Sequence, residues 1–197
     1  MSRRSTRGFF VCITVAAVAA SIVTAPLTAQ ADDAPNSAYT VYVPGVTTAQ
    51  QSNLNSMLLV SPGCGTGAKE DDIIHNWERR PGSSTTAHLR CGTQAEFGLR
   101  HINHGHGQDW ENVRSKYAQP GTWDSFMEDI TVENLISAST RIDDVNNKDV
   151  YRGYLCVREN SDGEVIRAYD TIIPVGRGSN NIITSYFENG RASDPHC

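Results

Sequence analysis

The chain has 197 residues, with 17 Lys and Arg against 22 Asp and Glu, for a formal charge of −5. Its 39% hydrophobic and 20% charged residues are those of an ordinary globular domain, which argues against a disordered chain. No repeat period runs through it, so solenoid, coiled-coil and collagen-like architectures are excluded.

The first 31 residues read as a secretory signal peptide. Arg3, Arg4 and Arg7 precede an apolar run from Phe9 to about Ala25, and Ala29-Gln30-Ala31 supplies a small-x-small site before Asp32. Thr14, Ser21 and Thr24 interrupt the run and Pro26 ends it, so cleavage is expected rather than a membrane anchor. Taking 31 residues from 197 leaves 166, enough for one domain with a real core. The segment carries three basic and no acidic residues, so its loss moves the charge from −5 to −8 and disfavours a broad electrostatic grip on nucleic acid. The product is expected to be extracellular, monomeric and free of the membrane.

Cys12 would leave with the signal, and Cys64, Cys91, Cys156 and Cys197 remain. An even number in an exported chain implies disulfides. Three pairings are open; Cys64 with Cys91 and Cys156 with Cys197 is favoured because the second bridge would pin the last residue onto a strand. A zinc knuckle would need a Cys-x-x-Cys pair, which the sequence lacks.

In chain order, Tyr39, Val41 and Val43 alternate with Thr40 and Tyr42 in a short run that suits an edge strand. Leu54, Met57 and Leu58 are spaced for a short helix after Thr47 and Thr48, which Pro62-Gly63 would terminate. From Gly63 to Thr86, Gly, Ser, Pro and charged residues predict loops. Asp109 is placed to cap a helix carrying Trp110, Val113 and Tyr117, stopped by Pro120-Gly121. Thr131 is placed to cap another, with Glu133 in its first turn and Val132, Leu135 and Ile136 on its apolar face. A polar stretch from Asp143 to Asp149 follows.

The period then changes to two. Tyr151, Leu155 and Val157 alternate with Arg152, Tyr154 and Cys156, the Asn160–Gly163 cluster is a turn, and residues 164 to 174 alternate again. The two runs read as a hairpin, and Ile182 to Phe187 as a last strand on which Thr184 and Tyr186 share a face. The expected fold is α+β: N-terminal helices packed on a C-terminal antiparallel β-meander, braced by disulfides.

Three of the six histidines fall within Arg100-His101-Ile102-Asn103-His104-Gly105-His106-Gly107. Histidine can take and give a proton near neutral pH, and the glycines would leave it open to a large substrate. The plain alternative is a solvated polar turn. His101, His104 and His106 also offer three imidazoles to a zinc ion, as a zinc-dependent hydrolase would require; the His-Glu-x-x-His helix pattern is absent. Arg114 is suited to clamp a phosphate with two hydrogen bonds, or else stands as a solvated charge on the helix. No Gly-rich phosphate loop, Gly-x-Ser-x-Gly elbow or free thiol nucleophile is present, so neither a cofactor nor Ser or Cys hydrolase chemistry is expected.

Taken in order, the Arg100–His104 cluster, Arg114, the stretch Trp123 to Ile136 with a helix in it and the Ile182-Ile183-Thr184-Ser185-Tyr186 run resemble the toxin ribonucleases of the barnase, EndoU, colicin and RelE superfamily. The likeness is to the ribonuclease A-like domains at the C-termini of contact-dependent inhibition toxins. It spans about residues 88 to 190, which divides the chain into the signal 1–31, a loop-rich N-terminal extension 32–87 and a ribonuclease-like domain 88–197. The resemblance implies a metal-independent endoribonuclease with an RNA substrate and an immunity or inhibitor protein as partner. It makes His104 the general base or acid, with His101 or His106 in its place if the register shifts. Arg114 would hold the phosphate, and Thr184 and Tyr186 would contact the reacting nucleotide. The competing class is a secreted, disulfide-braced binding or inhibitor protein without catalysis.

Overall fold

The computed structural model describes residues 38–47, 64–80 and 86–197. The signal segment and the helix expected between Thr47 and Pro62 lie outside the described residues. Among the described residues, seven strands and two helices follow in chain order: β1 (Tyr39–Tyr42), β2 (Ile73–Glu78), β3 (Thr86–Arg90), α1 (Gly98–Lys116), α2 (Trp123–Ile136), β4 (Arg141–Val145), β5 (Lys148–Glu159), β6 (Val165–Gly176) and β7 (Tyr186–Arg191). The protein is a mixed α and β structure with antiparallel sheets and two disulfides. The order of helices before strands is corrected, because three strands precede α1.

Strands form in an expected loop and in a polar stretch. The stretch predicted as coil between Gly63 and Thr86 contains β2, which pairs antiparallel with β3 in a sheet of its own. Ile74 and Trp77 of β2 and Ala87 and Leu89 of β3 are buried in the same core as the helices. The described part of residues 32–87 therefore contributes to the main core. The polar run Asp143 to Asp149 is a hairpin: β4 turns into β5 through Asn146 and Asn147, both in the left-handed region at φ 50° and 60°. Asn is among the few L-residues that tolerate this conformation, and the resulting two-residue turn matches strand twist.

The twelve-residue β5 organises the larger sheet. β6 pairs along its full length, while its other edge is shared by β4 at one end and β1 at the other. β7 extends the sheet beyond β6. The alternation read from the sequence sorts the faces. Tyr151, Leu155 and Val157, with their β6 neighbours Ile173 and Tyr169, are buried in the core that α1 and α2 share. Arg152 and Tyr154 lie on the opposite, outer face.

Both helices begin earlier than predicted. α1 starts at Gly98, not at Asp109, and its first backbone donors are satisfied by loop carbonyls: Gly98 N–H by Ile182 and Ile183, Arg100 N–H by Cys91. No side-chain cap marks this start, and Gly105 and Gly107 argue locally against a helix by about 1 kcal/mol each. Packing overrides them, because Leu99, Ile102, Trp110 and Val113 form a buried stripe. α2 is capped by Thr122, whose capping box with Ser125 forms just after Gly121 at φ 78°. Thr131, expected as the cap, is instead buried mid-helix.

A close approach joins α2 to the sheet. Asn134 Oδ1 accepts hydrogen bonds from Thr171 Oγ1 (2.9 Å) and Thr140 Oγ1 (3.3 Å). A Cβ on Gly153 would lie 1.9 Å from that oxygen. Gly153→Ala should therefore cost about 2–4 kcal/mol in urea unfolding, combining overpacking with a disrupted buried amide; an unchanged midpoint would show that α2 can shift away freely.

The disulfides are Cys64–Cys91 and Cys156–Cys197, the favoured pairing. The second holds the C-terminal residue against β5. Thiol titration of the denatured, unreduced protein from residue 32 onward should find no free cysteine, and one reactive thiol would contradict this bridging.

Candidate active site

Ser185 connects the elements of the site. Its backbone carbonyl accepts a hydrogen bond from Trp110 Nε1 of α1 (3.0 Å), and its hydroxyl lies 2.7 Å from Thr131 Oγ1 of α2. Residues 182–185 are thus held against both helices, and regular pairing along the sheet resumes only at Tyr186. The expected last strand is shifted: β7 starts at Tyr186, and Thr184 precedes it rather than sharing its ladder.

The fixed segment sets Tyr186 against α1. Its ring stacks on His106 with centroids 4.8 Å apart and planes 16° apart. Thr184 is 9% exposed, and its buried Oγ1 has no hydrogen-bond partner among the described residues. A buried hydroxyl left unpaired costs about 1–3 kcal/mol, a cost that a ligand's hydrogen bond would remove.

The three histidines of α1 have different surroundings. His106 Nδ1 is 3.7 Å from Asp109 Oδ2, one helical turn along. Burial pushes its pKa below 6.5, Asp109 opposes that shift, and the nearby charge of His101 adds to it. His101 Nδ1 is 2.9 Å from the Gln94 carbonyl. A carbonyl can only accept, so Nδ1 carries a hydrogen. His104 is exposed and makes no hydrogen bond or ring contact with any described residue. It lies two positions before His106, about 200° around the helix, so the two imidazoles point apart. The structure thus brings His106 to Tyr186 and leaves His104 in solvent; His101, five positions before His106 and about 140° around the helix, lies on the side of His104 and reaches His106 only through its charge. Among the described residues no three His, Cys, Asp or Glu side chains gather as a metal-holding group.

Comparison with family models, characterised proteins and solved structures finds no match. The site is accordingly read from its geometry.

Arg114 sits two turns beyond His106, about 12 Å along the helix axis. Its guanidinium grips Glu111 through Nε (2.8 Å) and Nη2 (2.7 Å) and reaches the Gln119 carbonyl through Nη1 (2.8 Å). Arg114 holds the Glu111 carboxyl down at about 2. This guanidinium closes the C-terminal end of α1, and a phosphate would have to displace Glu111 to reach it.

Sequence reasoning missed Ser185 as the anchor and Asp109 as the partner of His106. The His-x-x-Asp spacing is a visible helical signal once the helix is known to start at Gly98. Ser185 carried no local signal, since both its partners are distant in sequence. A second imidazole–carboxylate pair, His75 Nε2 to Glu128 Oε2 at 3.1 Å, joins β2 to α2.

Proposed function

We propose that this protein is a secreted, metal-independent endoribonuclease whose reaction centre lies at His106, Thr184 and Tyr186. The observation that carries the reading is the stacking of His106 on Tyr186, two residues after Thr184, whose buried hydroxyl has no partner among the described residues. A proton-transfer group and two hydroxyl donors thus belong to one short stretch of the fold. The two disulfides agree with an oxidising compartment.

Cleavage of RNA by its own 2′-hydroxyl requires three things: the hydroxyl loses a proton, the phosphorane charge is stabilised, and the departing 5′-oxygen gains a proton. His106, held neutral by burial, suits the base. Once it holds that proton, His106 passes it to the leaving 5′-oxygen, so the proton is conserved. Thr184 and Tyr186 donate hydrogen bonds to the phosphoryl oxygens as their charge grows. The products are a 2′,3′-cyclic phosphate and a 5′-hydroxyl, and DNA is spared for lack of the nucleophile.

The test is incubation of the oxidised protein, residues 32–197, with end-labelled RNA in excess chelator. Cleavage with cyclic or 3′-phosphate ends, and none of the matching DNA, is expected. Inertness towards several RNAs, with and without chelator, would overturn the reading in favour of a secreted binding protein.

A further inference from the structure

The outer face of the large sheet carries polar side chains in two rows that run across the strands. The register aligns Tyr186 of β7 with Ile172 of β6, Ile172 with Arg152 of β5, and Arg152 with Arg141 of β4. This row runs from position 186 at the sheet edge, where the Tyr186 ring reaches His106 of α1, to two guanidiniums on the outer face. In the second row Glu188 aligns with Asp170 and Asp170 with Tyr154. The His196 ring stacks on Tyr154 with centroids 4.6 Å apart and planes 18° apart. That stack is held by the chain terminus: Cys197 is bridged to Cys156, and its carbonyl accepts from Tyr42 Oη at 2.7 Å.

Between the rows lies a cleft of about 400 Å³, lined by Arg152, Tyr154, Asp170, Ile172, Glu188 and His196 among others. That is within the roughly 300–1,000 Å³ range of small-ligand sites. Arg141 and Arg152 share one carboxylate, Asp143, each through its Nε at 2.9 Å. Arg152 makes no other hydrogen bond to a described residue, so its terminal N–H groups are available. Glu188 has no hydrogen-bond or ion-pair partner among the described residues.

We propose that this cleft binds a nucleobase of the RNA strand, with its ribose, adjoining the bond cut at His106 and Tyr186. The inference rests on the ribonuclease reading. Three observations select a base over a phosphate. Arg141, Arg152 and Arg191, the last paired with Asp170, balance the carboxylates Asp143, Asp170 and Glu188, so the cleft has no excess positive charge to hold an anion. Donors on Arg152 of β5 and acceptors on Glu188 of β7 face each other across β6, two strand spacings or roughly 10 Å apart, which leaves room for a base that meets both. The Tyr154–His196 stack supplies the flat aromatic surface on which bases pack. Two strand spacings, roughly 10 Å, separate Tyr186 from Arg152, which suits a neighbouring nucleotide.

The experiment uses the four ribonucleoside 3′-monophosphates as probes, titrated into the oxidised protein in chelator and followed by amide NMR. Saturable shifts at Gly153, Tyr154 and His196 with at least one nucleotide are expected. Arg152→Met and Glu188→Gln alter side chains on the open face, and their native spectra can be checked directly. Each should weaken that nucleotide by roughly tenfold, the loss of a hydrogen bond to a charged group. Each should also change the base found beside the cut in sequenced RNA products. Shifts confined to α1 and β7, or variants that alter neither binding nor base preference in RNA the wild type cuts, would overturn the cleft while leaving the catalytic reading intact. If the wild type cuts no RNA yet nucleotides shift Tyr154 and His196, the catalytic reading falls and the cleft stands.

Discussion

Replacing His106 by Ala is expected to lower the rate of RNA cleavage by a factor of roughly 100 to 10,000, the usual contribution of a positioned proton-transfer group. The expectation follows from its surroundings. Its ring is stacked on Tyr186 and lies beside Asp109. Burial, the largest influence, lowers its pKa from 6.5 against the raising effect of Asp109. A lowered pKa means that the neutral, proton-accepting form persists to lower pH. The acid limb of kcat/KM should therefore lie below 6.5, and Asp109→Asn should move it further down by removing the group that raises it. His104→Ala, on the solvent side of the same helix, should stay within about twofold of wild type; the factor is an expectation for surface positions. A large loss at His104 with none at His106 would relocate the site to the opposite side of α1.

The largest stability effect is expected at Asp149. Its Oδ2 meets Arg79 Nη1 at 2.8 Å, with side chains 1% and 0% exposed, and its Oδ1 meets Arg177 Nε at 2.7 Å. Arg79 follows β2 and Asp149 lies in β5, so the pair clips the small sheet to the large one. Arg79 also donates to Tyr151 Oη (2.9 Å) and to the Thr86 carbonyl (2.9 Å). Asp149→Leu leaves a buried guanidinium without its counter-charge and should cost about 3–5 kcal/mol, a fall in Tm of roughly 10 °C for a domain of this size. Arg79→Leu should cost less, because Arg177 still neutralises Asp149. The double variant should recover part of the loss, since a buried pair replaced by apolar side chains is often neutral. Equal costs for the two single changes, adding fully in the double variant, would mean that the charges do not interact.

The sequence alone determined the features that depend on short-range pattern. Alternation placed β5 and β6 and sorted their faces, the Asn160–Gly163 turn joined them, and the even cysteine count led to the bridges that form. The Arg100–His106 stretch marked the region of the candidate site. What the tertiary structure decided depended on partners far along the chain. α1 begins at Gly98 because carbonyls of Cys91, Ile182 and Ile183 meet its open end, and its glycines are tolerated because an apolar stripe beneath them is buried. The β2 strand forms in a stretch composed like a loop because Ile74 and Trp77 reach a core built mostly by later residues. The selection of His106 over His104 is of the same kind. Both imidazoles are equal in local sequence; helical phase turns them about 200° apart, and only the position of Tyr186, fixed through Ser185 by Trp110 and Thr131, determines which of them meets it. Local propensity is a sum over neighbours, whereas burial and ring contact are set by the whole fold, so the region could be read from the chain and the residue could not.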